Sequence, residues 1–142
     1  MTKRRRNKIP EGLFKANIES LSHEGRGIAH IKGKTIFIEN ALPGEQVEFK
    51  YVSKRAKFDQ GVAENIITVN KQRIIPECQY FGYCGGCSLQ HMKSDAQLAH
   101  KQNILLEQFI HLGHVKPEIV LPPLEGPSFA YRHKARLAVK YV

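Results

Sequence analysis

Between residues 11 and 70 apolar and polar side chains alternate, and this alternation constrains the fold most. Phe14, Ala16 and Ile18 interleave with Lys15, Asn17 and Glu19. Val47, Phe49 and Tyr51 interleave with Glu48 and Lys50. A two-residue period sends successive side chains to opposite faces, so each run predicts a half-buried strand. Gly25-Arg26-Gly27 breaks the chain, and Ile28, Ala29 and Ile31 begin another strand. Lys32-Gly33-Lys34 reads as a tight hairpin turn before the return strand Thr35–Ile38. Ala41–Gly44 is a turn, and 58–69 supplies the last strand, with a bend at Gly61. Five short strands in such a stretch predict a mainly β, small barrel of the OB type.

The rest of the 142-residue chain has a different character. Ser94 suits a helix N-cap, and Gln97 three residues on completes a capping-box pattern. Leu98, Leu105, Phe109 and Leu112 recur at helical spacing and predict a core-facing stripe, with Gly113 as terminator. Pro117, Pro122, Pro123 and Pro127 mark an extended loop. The final stretch from Tyr131 predicts a strand that stops unfinished at Val142, so the expected second region, 71–142, is an incomplete α+β segment. Residues 1–10 predict a flexible basic arm.

Charge narrows the partner. The chain carries 22 Lys+Arg against 13 Asp+Glu, a formal net charge of +9, which suits a polyanion such as RNA. Lys32, Lys34, Lys50, Lys54, Arg55 and Lys57 fall near predicted turns, where phosphate contacts position a protein without reading sequence. In the terminal strand Arg132, Lys134, Arg136 and Lys140 would share one face. No apolar run reaches membrane-spanning length, and no apolar signal segment follows the basic start. A cytoplasmic monomer with no membrane partner is expected.

All three cysteines fall within ten residues, as Cys78-x5-Cys84-Gly-Gly-Cys87. An odd, tightly grouped set argues against a secreted disulfide framework. Thiolates so close suit an iron–sulfur cluster or zinc, and spacing alone leaves the two open. Zinc would draw on His91 as a fourth ligand. A Cys84–Cys87 redox pair lacks the preceding βαβ pattern, and the C-x3-C-x2-C spacing of radical S-adenosylmethionine enzymes is not met. Gly82, Gly85 and Gly86 would let the loop wrap closely, and Tyr80, Phe81 and Tyr83 would shield it from water. The seven histidines are scattered, and no dinucleotide loop, nucleophile elbow or HExxH motif is present.

The block Cys78-Gln-Tyr-Phe-Gly-Tyr-Cys84-Gly-Gly-Cys87-Ser-Leu-Gln90-His91 follows a small basic β region. In this it resembles the RlmD-type 23S rRNA uracil-5-methyltransferases, and the β region resembles their TRAM domain. Tyr131-Arg-His-Lys-Ala-Arg-Leu is similar to the stretch that opens that family's central domain. The resemblance implies that Cys78, Cys84 and Cys87 are three of four thiolate ligands of a [4Fe-4S] cluster, the fourth cysteine lying beyond residue 142. It implies a methyl donor, S-adenosylmethionine, whose site lies outside this chain. In that family a cysteine thiolate adds to C6 of a flipped uracil, activating C5 for methylation. That cysteine and its partner base also lie outside the chain, so no catalytic residue is assigned here. The cluster is expected to be structural, since methyl transfer to uracil needs no electron. The alternative is a stand-alone RNA-binding module with a zinc or iron–sulfur site and no activity.

Overall fold

The computed structural model describes residues 8–134 and 136. Their contacts divide the chain into two compact units, Met1–Gln97 and Leu98–Val142. In the first unit six strands form one mixed sheet: β1 (Phe14–Asn17), β2 (Ser20–Leu21), β3 (Gly27–Ile31), β4 (Lys34–Glu39), β5 (Gln46–Lys54) and β6 (Phe58–Thr68). Their order is β1-β5-β6-β4-β3-β2. All pairings are antiparallel except β4 with β6, which is parallel.

The expected count of five strands becomes six because the first run is interrupted. Up to Asn17 it pairs with β5; from Ser20 it pairs with β3. The change happens at Ile18, whose N–H donates to the Glu45 carbonyl at 2.8 Å, and Glu19, whose N–H donates to the Ile28 carbonyl at 2.8 Å. Hydrophobic periodicity cannot report such a change of partner, since Ile18 still points inward and is buried.

Inward positions of the alternating runs make the core: Ala16, Ile18, Ala29, Ile36, Ile38, Val47 and Phe49, with Ala41 from the following turn. The β3–β4 turn has the form expected from its sequence. Lys32 and Gly33 both have positive φ, 51° and 76°, as a two-residue turn matched to strand twist requires. Gly61, expected at a bulge or bend, lies within β6 and has a packing reason to be glycine. A Cβ there would lie 2.6 Å from the Phe49 ring and 2.8 Å from the Lys50 carbonyl, so only glycine lets β5 approach so closely. The register slips between Tyr51 and Ser53 opposite it.

Helix α1 (Ser94–His111) forms as expected, yet it buries no residue. Leu105, Phe109 and Leu112, expected in a core, are 50%, 43% and 78% exposed. A helical stripe is buried only when a second layer covers it, and residues 114–134 form neither strand nor helix. The Gln97 amide donates to the Leu89 and Met92 carbonyls at 3.0 and 2.8 Å. The left-handed residue after the helix is His114, with φ 51°, rather than Gly113. Of the predicted last strand, residues 131–134 and 136 are irregular and the remainder lies outside the described residues. Residues 1–7 of the expected basic arm also lie outside them.

Candidate nucleic-acid interface and cysteine loop

Two turns meet at one end of the sheet. The parallel β4–β6 ladder sets Thr35 opposite Phe58, so the β3–β4 turn and the β5–β6 loop emerge side by side. The Lys34 ammonium stitches them, donating to the Arg55 carbonyl and to Asp59 Oδ1, both at 2.6 Å. Lys32, Arg55 and Lys57 around it are exposed, and Lys54 is half-buried with its ammonium 5.3 Å from the Tyr51 ring centre. Five of the expected basic residues therefore converge: Lys32, Lys34, Lys54, Arg55 and Lys57. Lys34 joins the two turns, while the other four form no ion pair among the described residues. Lys50 does not join them; it lies within β5 and pairs with Glu64 at 3.3 Å. Arg132, Lys134 and Arg136 are exposed in the second unit.

The cysteine loop hangs from a short antiparallel stem. Arg73 bridges to Met92, the Ile74 N–H donates to the His91 carbonyl at 3.0 Å, and the Lys93 N–H donates to the Gln72 carbonyl at 2.9 Å. A buried ion pair fixes this stem to the sheet. The Arg73 guanidinium donates Nε to Glu45 Oε1 at 2.6 Å and Nη2 to Oε2 at 2.7 Å, with a further bond to the Asn40 carbonyl at 2.8 Å. The Leu42 and Asn70 N–H groups donate to the same carboxylate at 2.8 and 3.1 Å. Burial pushes the Glu45 carboxyl up, but the Arg73 bond, these two N–H groups and the Arg73 charge outweigh it, holding it below its ordinary value. Beyond the stem, Leu89 packs against Gly25, where a Cβ would meet its Cδ2 at 2.8 Å.

Within the loop Cys84 and Cys87 are exposed and Cys78 is half-buried; all three are free thiols. The Gly86 N–H donates to Cys84 Sγ at 3.4 Å, and Gln90 links the two ends of the motif. Its amide oxygen accepts from the Cys78 N–H at 3.0 Å and its Nε2 reaches Cys87 Sγ at 3.9 Å. Gly82 and Gly85 adopt φ of 86° and 67°, turns that other residues adopt at a cost. The residue types suit a soft metal, three sulfur side chains with the Gly86 N–H turned toward Cys84 and the Gln90 amide toward Cys87. Among the described residues, no group of three or more His, Cys, Asp or Glu side chains is gathered for a metal ion. Tyr80 and Tyr83 project into solvent, whereas Phe81 turns to His91, ring centres 5.2 Å apart.

His91 is 1% exposed, with no partner for either ring nitrogen among the described residues. Burial, helped by the Arg73 charge and opposed by Glu45, pushes it down to about 4, so the ring is neutral at pH 7. Sequence reading missed the positioning roles of Glu45, Arg73 and Gln90. Only Gln90 carried a signal, as half of the Gln-His pair after the last cysteine.

A family model for the TRAM domain matches residues 14–50, most of the sheet from β1 into β5. That defines the class: a TRAM-domain protein with a cysteine loop docked beside the sheet. The chain is 53% identical over 139 residues to the 23S rRNA (uracil(1939)-C(5))-methyltransferase RlmD of Alcanivorax borkumensis, covering 98% of this chain and 31% of the relative. It is 50% identical over 139 residues to the protein of that name from Hahella chejuensis, with the same coverages. For the one from Nitrosococcus oceani it is 52% over 139 residues, 97% and 31%. Over nearly its whole length the chain is similar to RlmD-type 23S rRNA uracil-C5-methyltransferases, and it spans about a third of the length of these relatives. Among the described residues, no helix is long and apolar enough to cross a membrane.

Proposed function

We propose that this chain is the RNA-holding and cluster-bearing part of an S-adenosylmethionine-dependent methyltransferase acting on uracil C5 in 23S rRNA. The observation that carries this reading is identity of about half the residues, across nearly the whole chain, to proteins of that name. Residues 11–70 hold RNA through the convergent turns. Residues 71–142 contribute the cysteine loop, the helix and the start of a central domain. The sheet is read as rolling toward a barrel, because β1 and β2 stand at opposite ends of the strand order yet are separated only by Ile18 and Glu19. The apolar side of α1 is read as a surface for the remainder of a longer protein. The 142 residues alone are expected to be inactive in methyl transfer, and the whole works as a cytoplasmic monomer.

The RNA reading is tested by fluorescence anisotropy with labelled RNA over a salt series. Four phosphates neutralised by Lys32, Lys54, Arg55 and Lys57 give a log–log slope of about −3, so affinity drops roughly 50-fold between 50 and 200 mM salt. Salt-independent binding, or none, would remove the role.

Cys78, Cys84 and Cys87 are read as three of the four thiolates of a [4Fe-4S] cluster, which would supply a covalent staple for the loop. Supporting this are the close spacing of the three cysteines, the Gly86 N–H facing Cys84 and the Gln90 link across the motif. Protein extended to a fourth cysteine and purified without oxygen should be brown, with about four irons and four sulfides per chain. Colourless protein holding stoichiometric zinc would replace the cluster reading with a zinc one.

A further inference from the structure

Four side chains stand in a row on the outer face of the sheet, where the core makes no use of them. In β4 the inward residues Ile36 and Ile38 are buried, and Phe37 between them faces out. Phe58 begins β6 beside it, and the rings meet edge to face at 5.5 Å and 82°. Neither ring belongs to the buried cluster or to the residues packed on it. The Arg26 guanidinium lies 5.5 Å from the Phe37 ring centre, and that of Arg55 lies 5.6 Å from Phe58. The row therefore runs Arg26–Phe37–Phe58–Arg55 and ends at the basic loop already described.

Its chemistry selects a ligand. A phosphate can be held by lysine as a point charge as well as by the arginine fork, with no aromatic ring involved. Aromatic rings and guanidinium groups held against them offer planar faces on which a base can stack. Duplex RNA keeps its base faces inside, so only an unpaired nucleotide can use such a row. Of the nearby acids, Glu24 pairs with Arg26 and Asp59 with Lys34 at 2.6 Å, while Glu39, exposed two residues beyond Phe37 on the same face of β4, has no ion pair among the described residues. Arg55 has no acidic partner among the described residues, so its end of the row is net positive.

We propose that Arg26, Phe37, Phe58 and Arg55 form a stacking platform for the base of an unpaired RNA nucleotide, whose flanking phosphates run to Lys32, Lys54 and Lys57. The platform rests on the reading of the sheet as RNA-binding. The test uses the full chain and labelled single-stranded RNA of about twelve nucleotides, within the span of one small barrel, with a duplex of the same sequence alongside. Arg55→Lys keeps the charge but loses the plane, and it sits on an exposed loop where folding is not at stake. With stacking worth about 1–3 kcal/mol per base, Arg55→Lys and Phe58→Leu each weaken single-strand binding by roughly 5- to 150-fold. Arg55→Lys leaves the salt slope unchanged, whereas Lys57→Gln lowers it by about 0.7. A chain that binds no RNA overturns the RNA reading and the platform together. Normal salt-dependent binding that both Arg55→Lys and Phe58→Leu leave intact, or duplex bound as tightly as single strand, overturns the platform alone.

Discussion

Glu45→Ala is expected to cost the fold roughly 3–5 kcal/mol, the usual effect of breaking a buried ion pair by removing one partner. The carboxylate is 1% exposed and accepts four hydrogen bonds, two from Arg73 and one each from the Leu42 and Asn70 N–H groups. Removing it strands a largely buried guanidinium and two backbone donors, and unsatisfied donors carry their full desolvation cost. Glu45→Gln keeps the shape and one acceptor and should lie between. The double variant Glu45→Leu/Arg73→Met should recover much of the loss, since an apolar pair avoids the stranded charge. Urea denaturation followed by circular dichroism reads all three. A shift below about 1 kcal/mol for Glu45→Ala would mean that this clamp does not hold the stem of the cysteine loop to the sheet.

That clamp shows where sequence reading stops. Strands β3 to β6 were legible because alternation and turn chemistry are local. Lys32-Gly33 needs two positive φ angles, and Gly61 marks the approach of Phe49. The split of the first run into β1 and β2 was not legible, because a change of hydrogen-bond partner leaves the inward residues unchanged. Glu45 and Arg73 are 28 positions apart, and each alone reads as a solvated surface charge. The helix was legible in extent but not in environment. Its apolar stripe announces a partner surface, and no layer covers it among the described residues.

The candidate site divides along the same line. Basic residues near turns could be named, but only the parallel β4–β6 register brings Lys32 and Lys57 to one end. Lys34 has a structural task that the sequence does not announce, since its ammonium serves Asp59 and the Arg55 carbonyl. The cysteine motif was legible from spacing alone. Its anchorage through Gln90, Leu89 and the Arg73 stem was not, because those contacts depend on tertiary placement.

Acid should destabilise the protein in two steps, and the first belongs to His91. Its ring is neutral in the folded chain, with a pKa pushed from 6.5 to about 4 by burial first and by the Arg73 charge second. Unfolding lets it take up a proton at any pH between those values, so the unfolded state binds more protons and stability rises with pH across that window. Stability is thus fully present above pH 6.5 and declines as pH falls toward 4. At about 1.4 kcal/mol per pH unit the loss amounts to roughly 3 kcal/mol. Glu45 adds a second step of the same sign. Its folded pKa lies below 4.5, so its contribution is present above that value and disappears as pH falls through the folded one. His91→Leu separates the two: it removes the titrating ring and fills the place beside Phe81 with an apolar side chain that needs no partner. Denaturation midpoints at pH 7.5, 6.0, 5.0 and 4.5 should fall steadily for the wild type and stay nearly level for His91→Leu. Parallel slopes in the two proteins would show that another group takes up the proton and that the buried imidazole is not the acid-sensitive point of the cysteine-loop stem.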